Sequence, residues 1–311
     1  MRRLEALLAD ETAGDPITGL KWTHKSLPKI QQALRGEGYP ISRPTIRRLL
    51  RAQKYSLRVN HKCQASQQSV GRDEQFAYIV RWRNAYLRRQ WPVISVDTKK
   101  VELIGNFKQA GCEWRQAPRR VNLYDFPTAA EGKAIPYGIY DLGRNHGYVV
   151  VGTSHDTSAF AVAAIRQWWL EVGRVTYLDQ SHLLIECDCG GSNGNRRRLW
   201  KVGLQTLADE FGLIITVTHY PTGASKWNPI EHRMFNWISA NWAGRPLDSY
   251  ETVVNYISTT RTATGFRCQA VLDTTTYATG QTVSDEEFER LSWRPHKRFH
   301  KWNYTIFPQM G

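Results

Sequence analysis

The chain is 311 residues long and carries 42 Lys and Arg against 28 Asp and Glu, a formal net charge of +14. That length allows a sizeable core and suggests two units, and so positive a charge points to a polyanion as partner, DNA or RNA first, against the plainer reading of an ordinary basic enzyme. Five scattered cysteines (Cys63, Cys112, Cys187, Cys189, Cys268) exclude a disulfide framework and suit a reducing cytoplasm. No apolar run reaches the roughly 18 residues of a membrane span, and Met1-Arg2-Arg3-Leu4-Glu5 lacks the apolar stretch of a signal peptide.

Met1 to Glu11 reads as the tail of a helix, broken by Gly14-Asp15-Pro16 and Thr18-Gly19. Ser26 is placed to cap a helix with Leu27, Ile30, Ala33 and Leu34 on one face, ended by Gly36 and Gly38. Ser42 caps a second helix, with Ile46, Leu49 and Leu50 inward and Arg43, Arg47, Arg48 and Arg51 on the other side; Pro44 sits in its first turn. Two short helices around a glycine-bearing turn fit a helix-turn-helix over 1–58, whose arginine-rich second helix would enter a major groove. The competing reading is an α-hairpin with a solvated basic face. Residues 59–90 read as a polar linker and a helix that begins at Asp73-Glu74 and runs through Phe76, Ile79, Trp82 and Tyr86.

The third region, 91–311, alternates strands and helices. Val93–Asp97 is an apolar strand ending in a carboxylate. An insertion over about 101–133 follows, then strands over Ile135–Leu142 and Tyr148–Thr153 around a hairpin turn at Gly143-Arg144-Asn145. A helix opens at Thr157. Leu183–Asp188 is a second apolar strand ending in a carboxylate, followed by Cys189-Gly190-Gly191-Ser192-Asn193-Gly194. A helix over 196–211, a strand over Leu213–Val217, a helix opening at Pro229 and another over Tyr250–Thr262 complete the order, before a tail of short strands and loops. Three strands, helix, strand, helix, strand, helix is the order of the ribonuclease-H-like fold, an α/β mixed sheet. In that order Asp97 and Asp188 end neighbouring strands, and Glu231, in the first turn of the Pro229 helix, can reach the same point.

Three acids at one sheet edge repel one another unless a cation lies among them. Two Mg²⁺ ions about 4 Å apart, held by a few carboxylates, activate an oxygen nucleophile and neutralise a leaving oxygen in phosphodiester chemistry. Asp97, Asp188 and Glu231 are thus the candidate catalytic and metal-binding set, with Mn²⁺ a possible substitute for Mg²⁺. Rivals are Asp141 and Asp156 near strand ends, and Glu186 on the same strand face as Asp188; a strand-end aspartate can also merely cap a turn. Cys187, Cys189, His182 and His219 allow a zinc reading, on the weak signal of one C-x-C. Around the acids, Lys99, Lys100, Arg196, Arg197, Lys226 and Arg233 suit a phosphate backbone. The glycine turn can offer N–H groups to a phosphate. Trp227 can stack on an unpaired base or pack in the core.

Val96-Asp97-Thr98-Lys99-Lys100, Gly105-Asn106-Phe107-Lys108, Asp125-Phe126-Pro127, Lys133-Ala134-Ile135-Pro136-Tyr137-Gly138, Asp188 with Gly190-Gly191-Ser192-Asn193-Gly194, and Ser225-Lys226-Trp227-Asn228-Pro229-Ile230-Glu231-His232 together resemble the ISAzo-type, or Rhodopirellula-type, insertion-sequence DDE transposases. Trp302-Asn303-Tyr304-Thr305-Ile306 is similar to that family's C-terminal end. The resemblance implies a nucleoid-associated cytoplasmic transposase acting with Mg²⁺ on the terminal repeats of its own element and on target DNA, as a DNA-bound homo-oligomer, with Asp97, Asp188 and Glu231 as its three acids. Cys187 and Cys189 replace the small residues usual in the family beside the second aspartate. Family members also carry more chain before the helix-turn-helix. The expectation is therefore an N-terminally truncated copy, and the alternative function is an inactive protein that only binds DNA.

Overall fold

The computed structural model describes residues 26–56, 71–224 and 227–309, together with Leu4 and two short strands, β1 (Thr12–Gly14) and β2 (Lys21–Thr23). It divides into two units, Met1–Gln64 and Ala65–Gly311. The polar stretch expected as a linker over 59–70 and, Leu4 apart, the helix expected over Met1–Glu11 lie outside the described residues.

In the first unit β1 and β2 pair antiparallel, Thr12 opposite Thr23, a ribbon that the Gly and Pro breakers masked in the sequence. Helices α1 (Leu27–Gly36) and α2 (Arg43–Ala52) close over Leu4, Ile30, Leu34 and Ile46. The Ser42 hydroxyl accepts the Thr45 N–H at 3.4 Å and so caps α2 as the sequence suggests. Ser26 holds the equivalent position before α1, but its side chain makes no capping bond. On α2, Arg43 Nε donates to Gln31 Oε1 on α1 at 3.1 Å, while Arg47, Arg48 and Arg51 are exposed.

The second unit opens with α3 (Arg72–Arg88) and strands β3 (Val93–Thr98), β4 (Glu102–Ile104), β5 (Gly132–Asp141) and β6 (His146–Gly152). Then follow α4 (Ser158–Trp168), β7 (His182–Cys187), α5 (Arg198–Phe211), β8 (Ile214–His219), α6 (Asn236–Asn241), α7 (Tyr250–Ser258) and β9 (Arg267–Asp273). A short helix, α8 (Asp285–Glu289), and strands β10 (Trp293–Pro295) and β11 (Asn303–Ile306) end the chain.

One nine-stranded sheet runs β10-β11-β8-β7-β3-β5-β6-β9, with β4 on β5. Its centre, β6-β5-β3-β7-β8, is antiparallel over the first three strands and parallel over the last three. This is the ribonuclease-H-like mixed sheet that the element order implies. Both faces are covered. Trp168 on α4 and Trp200 on α5 fill one side, and Met234, Ile238, Val253 and Ile257 fill the other. Each such side chain contributes about 1.5–3 kcal/mol by leaving water, which is why the central strands read as continuous apolar runs. The outer strands were not legible. β9 adds parallel to β6, and β11 adds antiparallel to β8 from far along the chain. The insertion over 101–133 contributes β4, one 3₁₀ turn, Pro127–Ala129, and the first two residues of β5. Among the described residues no helix is long and apolar enough to cross a membrane.

Candidate active site

Strand register positions two of the acids. β3 and β7 run parallel with Val93 opposite Leu184 and Ser95 opposite Glu186. Continued two residues, that register brings Asp97 level with Asp188, which directly follows β7. Both stand at the carboxyl ends of adjacent parallel strands, where open α/β sheets gather their ligands.

Glu231 comes from outside the sheet. It opens a π-helical turn, Glu231–Phe235, that leads into α6; such turns recur at functional sites. Asn228, fully buried, seats that turn on β3. Ser95 Oγ donates to Asn228 Oδ1, Asn228 Nδ2 donates to the Val96 carbonyl at 3.2 Å, and the Ile230 N–H donates to Ser95 Oγ at 3.2 Å. Gly138, opposite Asp97 on β5, leaves room for the turn. A Cβ there would lie 2.3 Å from Met234 Cε and 2.6 Å from Phe235 Cε1. Sequence reasoning missed Asn228, although its place three residues before Glu231 was the available signal.

The three carboxyls share one electrostatic environment. Asp97 is pushed up to about 8, first by burial and then by the charges of Asp188 and Glu231, while its bond from the Thr98 N–H at 2.8 Å opposes the rise. Burial raises Asp188 against a 3.1 Å bond from the Gly190 N–H, and Asp156 raises it further. Burial raises Glu231, His232 opposes it, Asp188 adds to it and Lys99 lowers it. Asp156, weighed in the sequence as a rival, stands beside this group as a fourth acid. It accepts from Thr98 Oγ1 at 3.1 Å, and its charge acts on both Asp97 and Asp188.

The other rivals have structural duties. Glu186 is sealed from solvent and takes both Arg83 Nε (2.8 Å) and Nη2 (2.5 Å), with Tyr220 Oη donating at 2.9 Å. Asp141 accepts from Tyr177 Oη and from the N–H groups of Gly143 and Arg144, and on β5 it pairs with Ile94, three residues short of Asp97. The zinc reading loses a ligand. His182 begins β7 and stacks on Trp91 with centroids 3.9 Å apart, while Cys187 and His219, in contact at 3.3 Å, lie at the other end.

Among the candidate phosphate contacts Lys100, Arg196, Arg197 and Arg233 are exposed. Lys99 departs from the expectation. It is 7% exposed, its ammonium pairs with Glu102 at 2.7 Å and lies 4.4 Å from the Trp242 ring centroid. Its buried charge acts inward, on Glu231. Trp227 is 57% exposed and meets Phe76 edge-on at 6.1 Å. Lys226 lies outside the described residues.

By donor type the site suits a hard divalent cation. The side chains are all carboxylates, and each is raised by burial and by its neighbours' charge, a penalty that a cation would relieve. Among the described residues no group of three or more His, Cys, Asp or Glu side chains is placed closely enough to hold a metal ion as it stands.

A family model described as "Rhodopirellula transposase DDE domain" matches residues 3–308. No curated protein matches the sequence. Among solved structures, similarity is found to a Mos1 transposase paired-end complex with left transposon end, at 15% identity and TM-score 0.45, covering 82% of this chain and 68% of that one. A Mos1 mariner paired end complex with Mn is similar at 15% identity and TM-score 0.45, covering 82% and 69%.

Proposed function

The chain belongs to the Rhodopirellula-type DDE transposase family, and on that premise we propose that it binds the ends of its own insertion element and cuts and rejoins DNA there, with Asp97, Asp188 and Glu231 as catalytic acids. The observation that carries this reading is the register that levels Asp97 with Asp188, together with the electrostatic pressure that Asp188 and Glu231 exert on Asp97.

In this reading the three carboxylates hold divalent cations, Mg²⁺ with Mn²⁺ as substitute. Bound there, the cations supply Lewis acidity to an attacking hydroxyl and a departing oxyanion. The protein's own residues do the rest. Asn228 and Ser95 hold the Glu231 turn against β3. The Asp97–Thr98 and Asp188–Gly190 bonds fix carboxylate orientation. Lys100, Arg196, Arg197, Lys226 and Arg233 hold the DNA backbone, and Trp227 meets a base at the opened end. Arg43, Arg47, Arg48 and Arg51 carry α2 into the major groove of the terminal repeat. Cutting frees a 3′ hydroxyl as water adds to phosphorus, and joining repeats the displacement with that hydroxyl on target DNA. Because two ends must be joined, the working form is a DNA-bound homo-oligomer at the nucleoid.

The test is cleavage of a labelled fragment carrying the element's terminal repeat, in Mg²⁺, by the chain and by Asp188→Asn. Cleavage by the first alone supports the reading. Equal cleavage by both removes Asp188 from the centre. Specific binding with no cleavage by either would make the protein a DNA-binding factor without catalysis.

A further inference from the structure

A cavity of about 1050 Å³ lies between the glycine turn that directly follows Asp188, the start of α5 and the C-terminal hairpin. Its rim is basic. Arg196, Arg197 and Lys301 are exposed, and none of them has a carboxylate within ion-pair distance among the described residues. Its floor is a buried cation on aromatic rings. Lys201 is 8% exposed, donates to the Asn195 carbonyl at 2.8 Å, and lies 5.7, 5.2 and 5.1 Å from the ring centroids of Phe288, Trp293 and Tyr304. Among the described residues this buried ammonium is held by a backbone carbonyl and ring faces, with no carboxylate paired to it, and so leaves positive potential at the base of the cavity. Trp302, stacked on Phe299 at 6.2 Å, lines the wall. The wall is fixed in place, because Asn195 Nδ2 donates to the Lys301 carbonyl at 2.9 Å and so ties the glycine turn to the hairpin.

We infer that this cavity binds an unpaired DNA strand running from the Asp188 side of the centre, with phosphates on Arg196, Arg197 and Lys301 and a base against Trp302. The inference rests on the proposed function for the identity of the nucleic acid. Cations alone would suit a duplex equally, but the aromatic wall favours a single strand, because only unpaired bases expose a stacking face. The cavity is also open enough to admit a base, and, Arg198 apart, which pairs with Asp285 at 2.5 Å, its cations have no ion-paired acid among the described residues to compete with phosphate.

The test uses the full chain without metal, so that no cleavage is needed. A fluorescein-labelled dT12 is titrated into the wild type, into Arg196→Ala/Lys301→Ala, and into Arg261→Ala/Arg267→Ala, whose cations lie near the opposite edge of the sheet. The expected result is roughly tenfold weaker binding for the first pair at 0.1 M salt, with the salt slope shallower by about 1.4 for two lost phosphate contacts, and little change for the second. Equal weakening by both pairs, or none by the first, overturns the proposal. Photocrosslinking of the wild type to an oligonucleotide carrying 5-iodouracil gives an independent reading. Adducts on Trp302 or Trp293 support the cavity, and adducts confined to Trp227 or the helix-turn-helix refute it. If element ends are never cleaved while these results hold, the catalytic reading fails and the cavity stands; normal cleavage with no binding loss reverses that outcome.

Discussion

Asn228 donates to the carbonyl of Val96 at 3.2 Å, so the residue three places before Glu231 is bonded to the residue just before Asp97. The two acids belong to different layers of the molecule, and this side-chain bond, with Ser95 beside it, sets the spacing between them. Asn228→Ala would leave the Ser95 hydroxyl donor and the Val96 carbonyl without the partner that Asn228 gives them in the core, at about 1–3 kcal/mol of stability. It would also let the Glu231 turn drift. We expect a lower melting temperature and at least a tenfold loss of strand cleavage, measured at a temperature where the variant is folded. Full cleavage by folded Asn228→Ala would show that Glu231 does not depend on this tie.

Gly138→Ala tests the same spacing from the other side. The new methyl would meet Met234 and Phe235 of the π turn, and relieving that overlap costs about 1–3 kcal/mol. Thermal unfolding should show the loss, and Phe235→Leu in the same chain should recover part of it. Additive losses in the double variant would contradict the contact.

The response to pH follows from Asp97. Its carboxyl ordinarily titrates at 3.8 and in the fold is pushed up to about 8. Below about 4 the unfolded and folded forms are both protonated. Between there and about 8 the folded form keeps a proton that the unfolded form has lost, so this group's contribution falls as pH rises, by at most about 1.4 kcal/mol per unit. Above about 8 the penalty is complete. In chelator, Asp97→Asn should therefore be more stable than the wild type at pH 8 and close to it at pH 4. Adding Mg²⁺ should raise the wild-type melting temperature more at pH 8 than at pH 5.5, and should leave Asp97→Asn nearly unmoved. A Mg²⁺ effect independent of pH would count against cation binding at Asp97.

Glu186 and Asp188 sit two residues apart with opposite expectations. Arg83→Met would strand Glu186 as a buried charge, costing about 3–5 kcal/mol, visible as a lower urea midpoint. Glu186→Gln should also destabilise, yet keep cleavage per folded molecule within a few-fold. Asp188→Asn should do the reverse, holding or raising stability while cleavage is lost. Loss of cleavage in fully folded Glu186→Gln would return Glu186 to the list of catalytic acids.

The central strands were legible because each buries both faces and so shows as an apolar run ending at a turn. Asp97 and Asp188 stand out as candidates because a carboxylate at the end of such a run is conspicuous. The order of elements was enough to make those two strands neighbours. What stayed hidden depends on long-range contacts. The pairing of β11 with β8 joins residues about ninety apart, and no local pattern specifies it. Lys99 looks like a solvent-facing cation until Glu102 and Trp242 enclose it. The role of Gly138 exists only once Met234 and Phe235 are placed. Asp156, an ordinary strand-end acid in sequence, joins the site because Thr98 reaches it.

The lateral bonding edge of β8, Ile214–His219, is covered by β11, which includes Asn303, and Asn303 in turn exchanges hydrogen bonds with Gln75 on α3 at 2.8 and 2.9 Å. A translation product stopping before residue 303 would thus contain all three acids and still display Ile-Ile-Thr-Val-Thr-His as an open β-edge, a ready template for self-association. During synthesis that edge stays uncovered while some eighty further residues are made, so the interval in which a chaperone can act, or aggregation can begin, is set by the ribosome rather than by the chemistry of the site.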